Sequence, residues 1–164
     1  AIINAIRQLY SLKQVTTMWK NNKNRSYDYY LYLRPDLTYV NKLNVEQLIE
    51  NIKFKDVLLS PNWHKWGGLN DRIFMGNEKI VTIFSNRFDE LLKMIEKEKI
   101  PYLPEVFMGY IAKKYNVKIV EIEFKGCRTR TNGTILDETI ENKEKTKYIL
   151  NQNGMKVQKD FLIL

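Results

Sequence analysis

Tyr27–Leu33 reads Y-D-Y-Y-L-Y-L, and Arg34-Pro35-Asp36 follows it directly. An aromatic-rich run of this length predicts a buried strand. Pro35 cannot donate to a ladder, so the strand stops before it. Arg34 and Asp36 are thereby placed just beyond the strand's carboxyl end. In an open α/β sheet that rim is where ligands bind.

Working outward, residues 2–20 place Ile2, Ile6, Leu9, Leu12, Val15 and Trp19 at three-to-four spacing, the pattern of an amphipathic helix. Asn21 to Asn24 closes it with turn residues. Downstream, Val45–Ile52 predicts a short helix with Val45, Leu48, Ile49 and Ile52 on one face. Val57-Leu58-Leu59 and Ile73-Phe74-Met75 predict short strands on either side of a loop. Asn77 can cap a long helix over 78–96, with Ile80, Ile83, Phe84, Phe88, Leu91, Leu92 and Ile95 inward. Pro104-Glu105 opens another helix, with proline at its first position. Val117–Phe124 alternates as a strand, and Gly126–Gly133 reads as a polar connection. Residues 137–151 predict a weakly amphipathic helix, and Met155–Leu164 a strand-like tail. Strands alternating with helices predict one α/β domain over residues 1–164, with a mixed, mainly parallel sheet flanked by helices.

The chain has 27 basic and 19 acidic residues among its 164, a net charge of +8. That balance suits a polyanionic partner, nucleotide diphosphates included. The lysines and arginines are scattered rather than run together, so a nucleic-acid-binding tail is not indicated. A single cysteine, Cys127, excludes an internal disulfide and a cysteine-rich zinc site. A reducing compartment is expected, the cytoplasm or, for a viral protein, the host-cell cytoplasm. No apolar run is long enough to span a membrane. The dinucleotide-binding, P-loop and nucleophile-elbow glycine signatures are all missing.

The residues fit for chemistry gather in W-H-K-W-G-G-L-N-D-R, Trp63 to Arg72. Asp71 closes this loop and is placed to take a proton from an attacking hydroxyl; half-burial beside Trp66 would raise its pKa usefully. A pairing with Arg72 or a capping role is the alternative. Trp63 and Trp66 can stack on a sugar ring or simply close the loop over the core. Gly67-Gly68 reads as a flexible hinge, and Asn70 as a further acceptor contact. His64 is alone, so it offers at most one metal ligand or one phosphate contact. Asp36 suits a divalent cation at a leaving diphosphate, or merely a Pro-Asp turn. Arg34 can fork onto phosphate or tie down Asp36. Arg128 and Arg130 can clamp a diphosphate or stay solvated. Glu105, at a helix start, can bind a sugar hydroxyl or cap its helix.

In order and spacing, Y-D-Y-Y-L-Y-L-R-P-D-L (27–37), W-G-G-L-N-D-R (66–72), S-N-R-F (85–88), P-E (104–105) and C-R-T-R-T-N-G (127–133) resemble GT-A-type glycosyltransferase-like proteins of microbial and viral surface-glycan synthesis. W-G-G-x-x-D also resembles the W-G-G-E-D-D loop of galactosyltransferases acting on N-acetylglucosamine. The resemblance implies a GT-A-like, Rossmann-like fold, a nucleotide-diphosphate sugar donor, a glycan or other hydroxyl acceptor, and Mn²⁺ or Mg²⁺. It implies Asp71 as base, Asp36 at the metal, and Arg34, Arg128 and Arg130 at the diphosphate. Trp63, Trp66, Gly67, Gly68, Asn70 and Glu105 would hold the acceptor. Arg34 stands where the family carries the first acid of Asp-x-Asp. One helix precedes the R-P-D strand where that family has a β-α-β nucleotide-binding unit, so the chain is expected to be the C-terminal part of such a domain, inactive alone. The rival expectation is a non-catalytic basic module that grips nucleic acid or an anionic glycan.

Overall fold

The computed structural model describes residues 2–52, 56–98, 102–136 and 157–158. The chain runs α1 (Ile2–Asn22), β1 (Tyr30–Leu33), β2 (Leu37–Tyr39), α2 (Val45–Ile52), β3 (Val57–Pro61), β4 (Ile73–Gly76), α3 (Glu78–Ser85), α4 (Phe88–Glu98), α5 (Pro104–Lys114), β5 (Lys118–Ile122), β6 (Gly126–Thr129), β7 (Ile135–Leu136) and β8 (Val157–Gln158).

β3 and β4 form the middle of a four-stranded sheet of order β1-β4-β3-β5. The sequence predicts a mainly parallel sheet, and this is corrected. Only β3 and β5 run parallel; β4 is antiparallel to both β1 and β3. The reason lies between Pro61 and Ile73. That connection is a loop rather than a crossover helix, so the chain doubles back. A second four-stranded sheet, β2-β6-β7-β8, was not anticipated. β6 occupies the stretch read as a polar connection, and its partner β2 is three residues long, too short to show a period.

The main sheet is covered on both faces, and its side chains alternate accordingly. Leu58, Phe74, Tyr30 and Tyr32 face a layer of helices, packing with Leu9, Ile80, Val81, Phe84, Leu91, Phe107, Met108 and Ile111. Val57, Leu59, Ile73 and Met75 face the other way, against Leu37, Leu48, Trp63, Ile122 and Phe124. Tyr32 stacks on Phe74 at 4.7 Å, and its hydroxyl takes a hydrogen bond from Trp19 Nε1 at 2.7 Å. β1 is thus tied to α1 by an aromatic layer with its polar tips satisfied.

Two helices depart from their expected faces. In α1, Val15 is exposed while Thr16 is buried, its hydroxyl donating to Leu12 O and meeting Tyr32 OH at 2.8 Å. In α2, Leu48 is buried, while Val45 and Ile49 face solvent. The long helix expected over 78–96 is two helices. Asn77 caps α3 as expected, accepting from Ile80 N at 3.0 Å. Asn86 N–H then bonds Thr82 O, and Arg87 Nη1 donates to Phe84 O at 2.5 Å, so the last carbonyls of α3 are satisfied and the chain turns. Leu92 faces solvent on α4. The helix expected over 137–151 lies outside the described residues, as does most of the 155–164 tail. Among the described residues no helix is long and apolar enough to cross a membrane.

Candidate functional site

The sheet topology gathers the chemical residues on one rim. β1 ends at Leu33, whose register partner is Ile73, the first residue of antiparallel β4. Arg34 therefore leaves the sheet beside the point where Asp71-Arg72 enters it. Parallel β3 ends at Pro61 on the same rim, so the Trp63–Arg72 loop spans it.

The loop is held by its backbone and by a close seam to α5. His64, Trp66 and Gly67 all sit at positive φ, 51°, 41° and 83°. Non-glycine residues held there are strained, and such strain concentrates where geometry is functional. Gly68 is not a hinge. A Cβ on it would lie 1.9 Å from Glu105 O, so only glycine lets the loop touch the start of α5. Leu69 N–H completes the seam, donating to Glu105 O at 3.0 Å. Asn70 is 0% exposed and holds the loop shut: its Nδ2 donates to Trp63 O, and its Oδ1 accepts from Arg72 N and Ile73 N. Trp63, 4% exposed, donates Nε1–H to Phe124 O at 2.7 Å. Gly68, Asn70 and Trp63, expected at the acceptor, are thus enclosed parts of the loop's frame. Trp66 is the exception, 45% exposed and set edge-on to the His64 ring at 5.5 Å.

Under this loop lie His64, Asp71, Arg72, Arg87 and Glu105. Asp71 is 8% exposed, more enclosed than the half-burial expected from sequence. Burial pushes its carboxyl pKa up, and the charge of Glu105 adds to that; Arg87, Arg72 and Arg34 oppose it. Arg72 Nε stands 4.0 Å from Asp71 Oδ1, so the alternative Asp71–Arg72 pairing is present as a loose contact. Arg87 is 2% exposed, and burial lowers its pKa against the pull of Asp71 and Tyr102. Tyr102, also under burial, is pushed up to about 12 and stays a neutral phenol.

His64 joins the two acids. Arg72 Nη2 lies 3.0 Å from His64 Nε2. A guanidinium only donates, so Nε2 is the accepting nitrogen. A neutral His64 then carries its proton on Nδ1, 3.1 Å from Glu105 Oε1. The direction is poor, leaving buried Nδ1 without a formed hydrogen bond. Donor atoms of His64, Asp71 and Glu105 lie within 4.8 Å of one another, a group that could hold a metal ion. Two carboxylates and an imidazole suit Mn²⁺ by donor type. Ligation through Nδ1, however, would move its proton to Nε2, against the N–H of Arg72. The arrangement as it stands favours a proton on that nitrogen.

Asp36 is elsewhere on the rim and is not in that group. Its two oxygens receive a fork from Arg34, Nε at 2.8 Å and Nη2 at 2.6 Å. This hydrogen-bonded pairing holds the Asp36 carboxyl below the usual range, with the charge of Arg128 in support. Of the two sequence readings of Arg34, the tie to Asp36 is the one present. A cation at Asp36 would have to compete with a guanidinium bonded to both oxygens. Arg128 stands opposite Leu37, and Thr129 N–H donates to Asp36 O at 2.8 Å. Arg130 is exposed, one residue past β6.

No protein-family model, no curated protein and no solved structure matches this chain. The rim itself therefore carries the argument. It brings Arg34, Asp36 and Arg128 together, brings His64, Asp71 and Glu105 together, and sets Arg34 within electrostatic reach of both Asp36 and Asp71. Arg87 and Tyr102 were missed as members. Arg87 stood inside S-N-R-F with no role attached, because an arginine within an apolar helical pattern reads as surface.

Proposed function

We propose that the chain is the acceptor-side part of a glycosyltransferase, moving a sugar from a nucleotide-diphosphate donor to a hydroxyl of a glycan or similar acceptor. One observation carries this reading: two carboxylates, an imidazole and two guanidiniums are enclosed beneath an ordered loop whose only exposed aromatic is Trp66. Burying so many ionisable groups does little for stability, and an acid such as Asp71, its pKa raised by burial, supports a functional reading of the place.

The acceptor sugar stacks on Trp66, and its attacking hydroxyl is directed to Asp71. The hydroxyl oxygen forms a bond to the anomeric carbon while its proton passes to Asp71. The bond from that carbon to the diphosphate oxygen breaks, and the nucleotide leaves with the electron pair. Asp71 suits the base because burial raises its pKa and so its affinity for a proton. Glu105 and His64 lie beside it. Arg34 and Arg128 lie on the same rim for the departing phosphates, with Arg130 further out. Against the basic-module alternative, Lys13, Lys23, Lys65, Lys79 and Lys114 are each paired with an acid.

The test is donor turnover. Nucleotide-diphosphate sugars are offered with oligosaccharide acceptors to the full-length parent that the resemblance implies, and released nucleotide is measured. Asp71→Asn should lower the rate by about a hundredfold or more, the usual scale for a lost general base, with donor affinity retained. Trp66→Ala should raise the acceptor KM with little change in kcat. An Asp71→Asn protein of full turnover would end the proposal.

A further inference from the structure

The Arg34–Asp36 fork goes further than that reading, on which it rests, because it bears on what neutralises the leaving diphosphate. We infer that this site binds phosphate without a divalent cation: Arg34 and Arg128 take the phosphate oxygens, and Asp36 is the internal anion that a phosphate displaces from Arg34.

The geometry comes first. Two parallel N–H···O bonds of 2.8 and 2.6 Å are the contact a guanidinium makes with two oxygens of a phosphate. The Asp36 carboxylate stands in for those oxygens. The pair sits in the turn after β1, on the ligand-bearing rim, with about a third of each side chain exposed, 31% and 38%. Exposed pairs of this kind are weak, so a dianion can replace the carboxylate. Arg128 lies across β2–β6 from Leu37, one residue from Asp36, and the Thr129 N–H···O bond to Asp36 fixes that spacing. Charge points the same way. A divalent ion at Asp36 would compete with Arg34 for both carboxylate oxygens, and in the empty site that place is already held by a positive group. Asp71, further along the rim, already feels the charges of Arg87 and Arg72. Positive charge is already supplied by the chain. Asp36 then has a role opposite to a metal ligand: it keeps Arg34 oriented while the site is empty, and competes with the phosphate when one arrives.

Isothermal titration of the full chain with inorganic pyrophosphate and with uridine diphosphate, each in EDTA and in Mn²⁺, tests this. Both probes should bind in EDTA, and Mn²⁺ should change affinity by less than about threefold. Arg34→Gln should weaken binding about tenfold or more, the scale of a charged hydrogen-bond pair. Arg128→Gln should weaken it less. Asp36→Asn should tighten binding about two- to fivefold, since it releases Arg34 from an exposed pair. Arg34→Lys, which keeps the charge without the fork, should fall between wild type and Arg34→Gln; thermal melts confirm that each variant is folded. Binding that requires Mn²⁺ and disappears in Asp36→Asn would overturn the inference while leaving sugar transfer intact. Unchanged affinity in Arg34→Gln, or no binding of either probe in either buffer, would overturn it as well. Donor turnover, measured in parallel, reports separately on the sugar-transfer reading.

Discussion

Gly68→Ala gives the sharpest check on how the site is held. The new Cβ would stand 1.9 Å from Glu105 O, 2.3 Å from its carbonyl carbon and 2.7 Å from Val106 Cα. Carbon–oxygen contacts of this kind close at roughly 3.3 Å, so the loop and α5 must part by more than about 1 Å. All three atoms are backbone, so no side chain can swing aside. Overpacking costs about 1–3 kcal/mol, and the Leu69 N–H to Glu105 O bond adds about 1 kcal/mol when it stretches. The expected loss is about 2–4 kcal/mol, or roughly 5–15 °C in Tm for a chain of this size. Gly67→Ala is the control. Its Cβ meets only Val106 Cγ2, at 4.0 Å, and its cost is the left-handed φ of 83°, about 1–2 kcal/mol. Scanning calorimetry of both variants decides the matter. A Gly68→Ala protein melting within about 1 °C of wild type, or one more stable than Gly67→Ala, would refute the close seam between loop and helix.

Arg87→Met should cost about 3–5 kcal/mol, read as a lowered urea midpoint, because it removes the charge facing buried Asp71 and the donor to Phe84 O. Arg87→Lys should recover only part of that, lacking the fork. The Arg34–Asp36 pair should couple by about 0.5 kcal/mol in a double-mutant cycle, its exposure limiting it. Since Asp36 is held below its ordinary pKa, that coupling is present above about pH 4 and fades as pH falls through the lowered value. Asn77→Ala should cost about 1 kcal/mol in a thermal melt through loss of the α3 cap.

Much of the framework was legible in single residues. The three-to-four spacing of Ile6 and Leu9 gave α1, Pro104 gave the start of α5, and Asn77 gave a cap that the structure repeats. What could not be read was whatever depends on partners distant in the chain. β6 looks polar because its partner β2 is ninety residues away, and strand direction follows from whether a connection crosses or doubles back. The break at Asn86–Arg87 was hidden because the apolar period runs on through it, whereas an arginine donating to Phe84 O is a tertiary fact. In the site, the residue types of the Trp63–Arg72 loop drew attention to the right place. Their division into frame and face, Trp63 and Asn70 inside, Trp66 outside, depends on packing that no spacing encodes.

The positive backbone angles at His64, Trp66 and Gly67 have a kinetic side. If those torsions are the same with a ligand in place, the loop has nothing to rearrange when a molecule arrives. Association with Trp66 should then appear in stopped flow as one exponential, its rate climbing in proportion to ligand concentration and showing no plateau. Encounter in solution, and no internal motion of this loop, would set the pace.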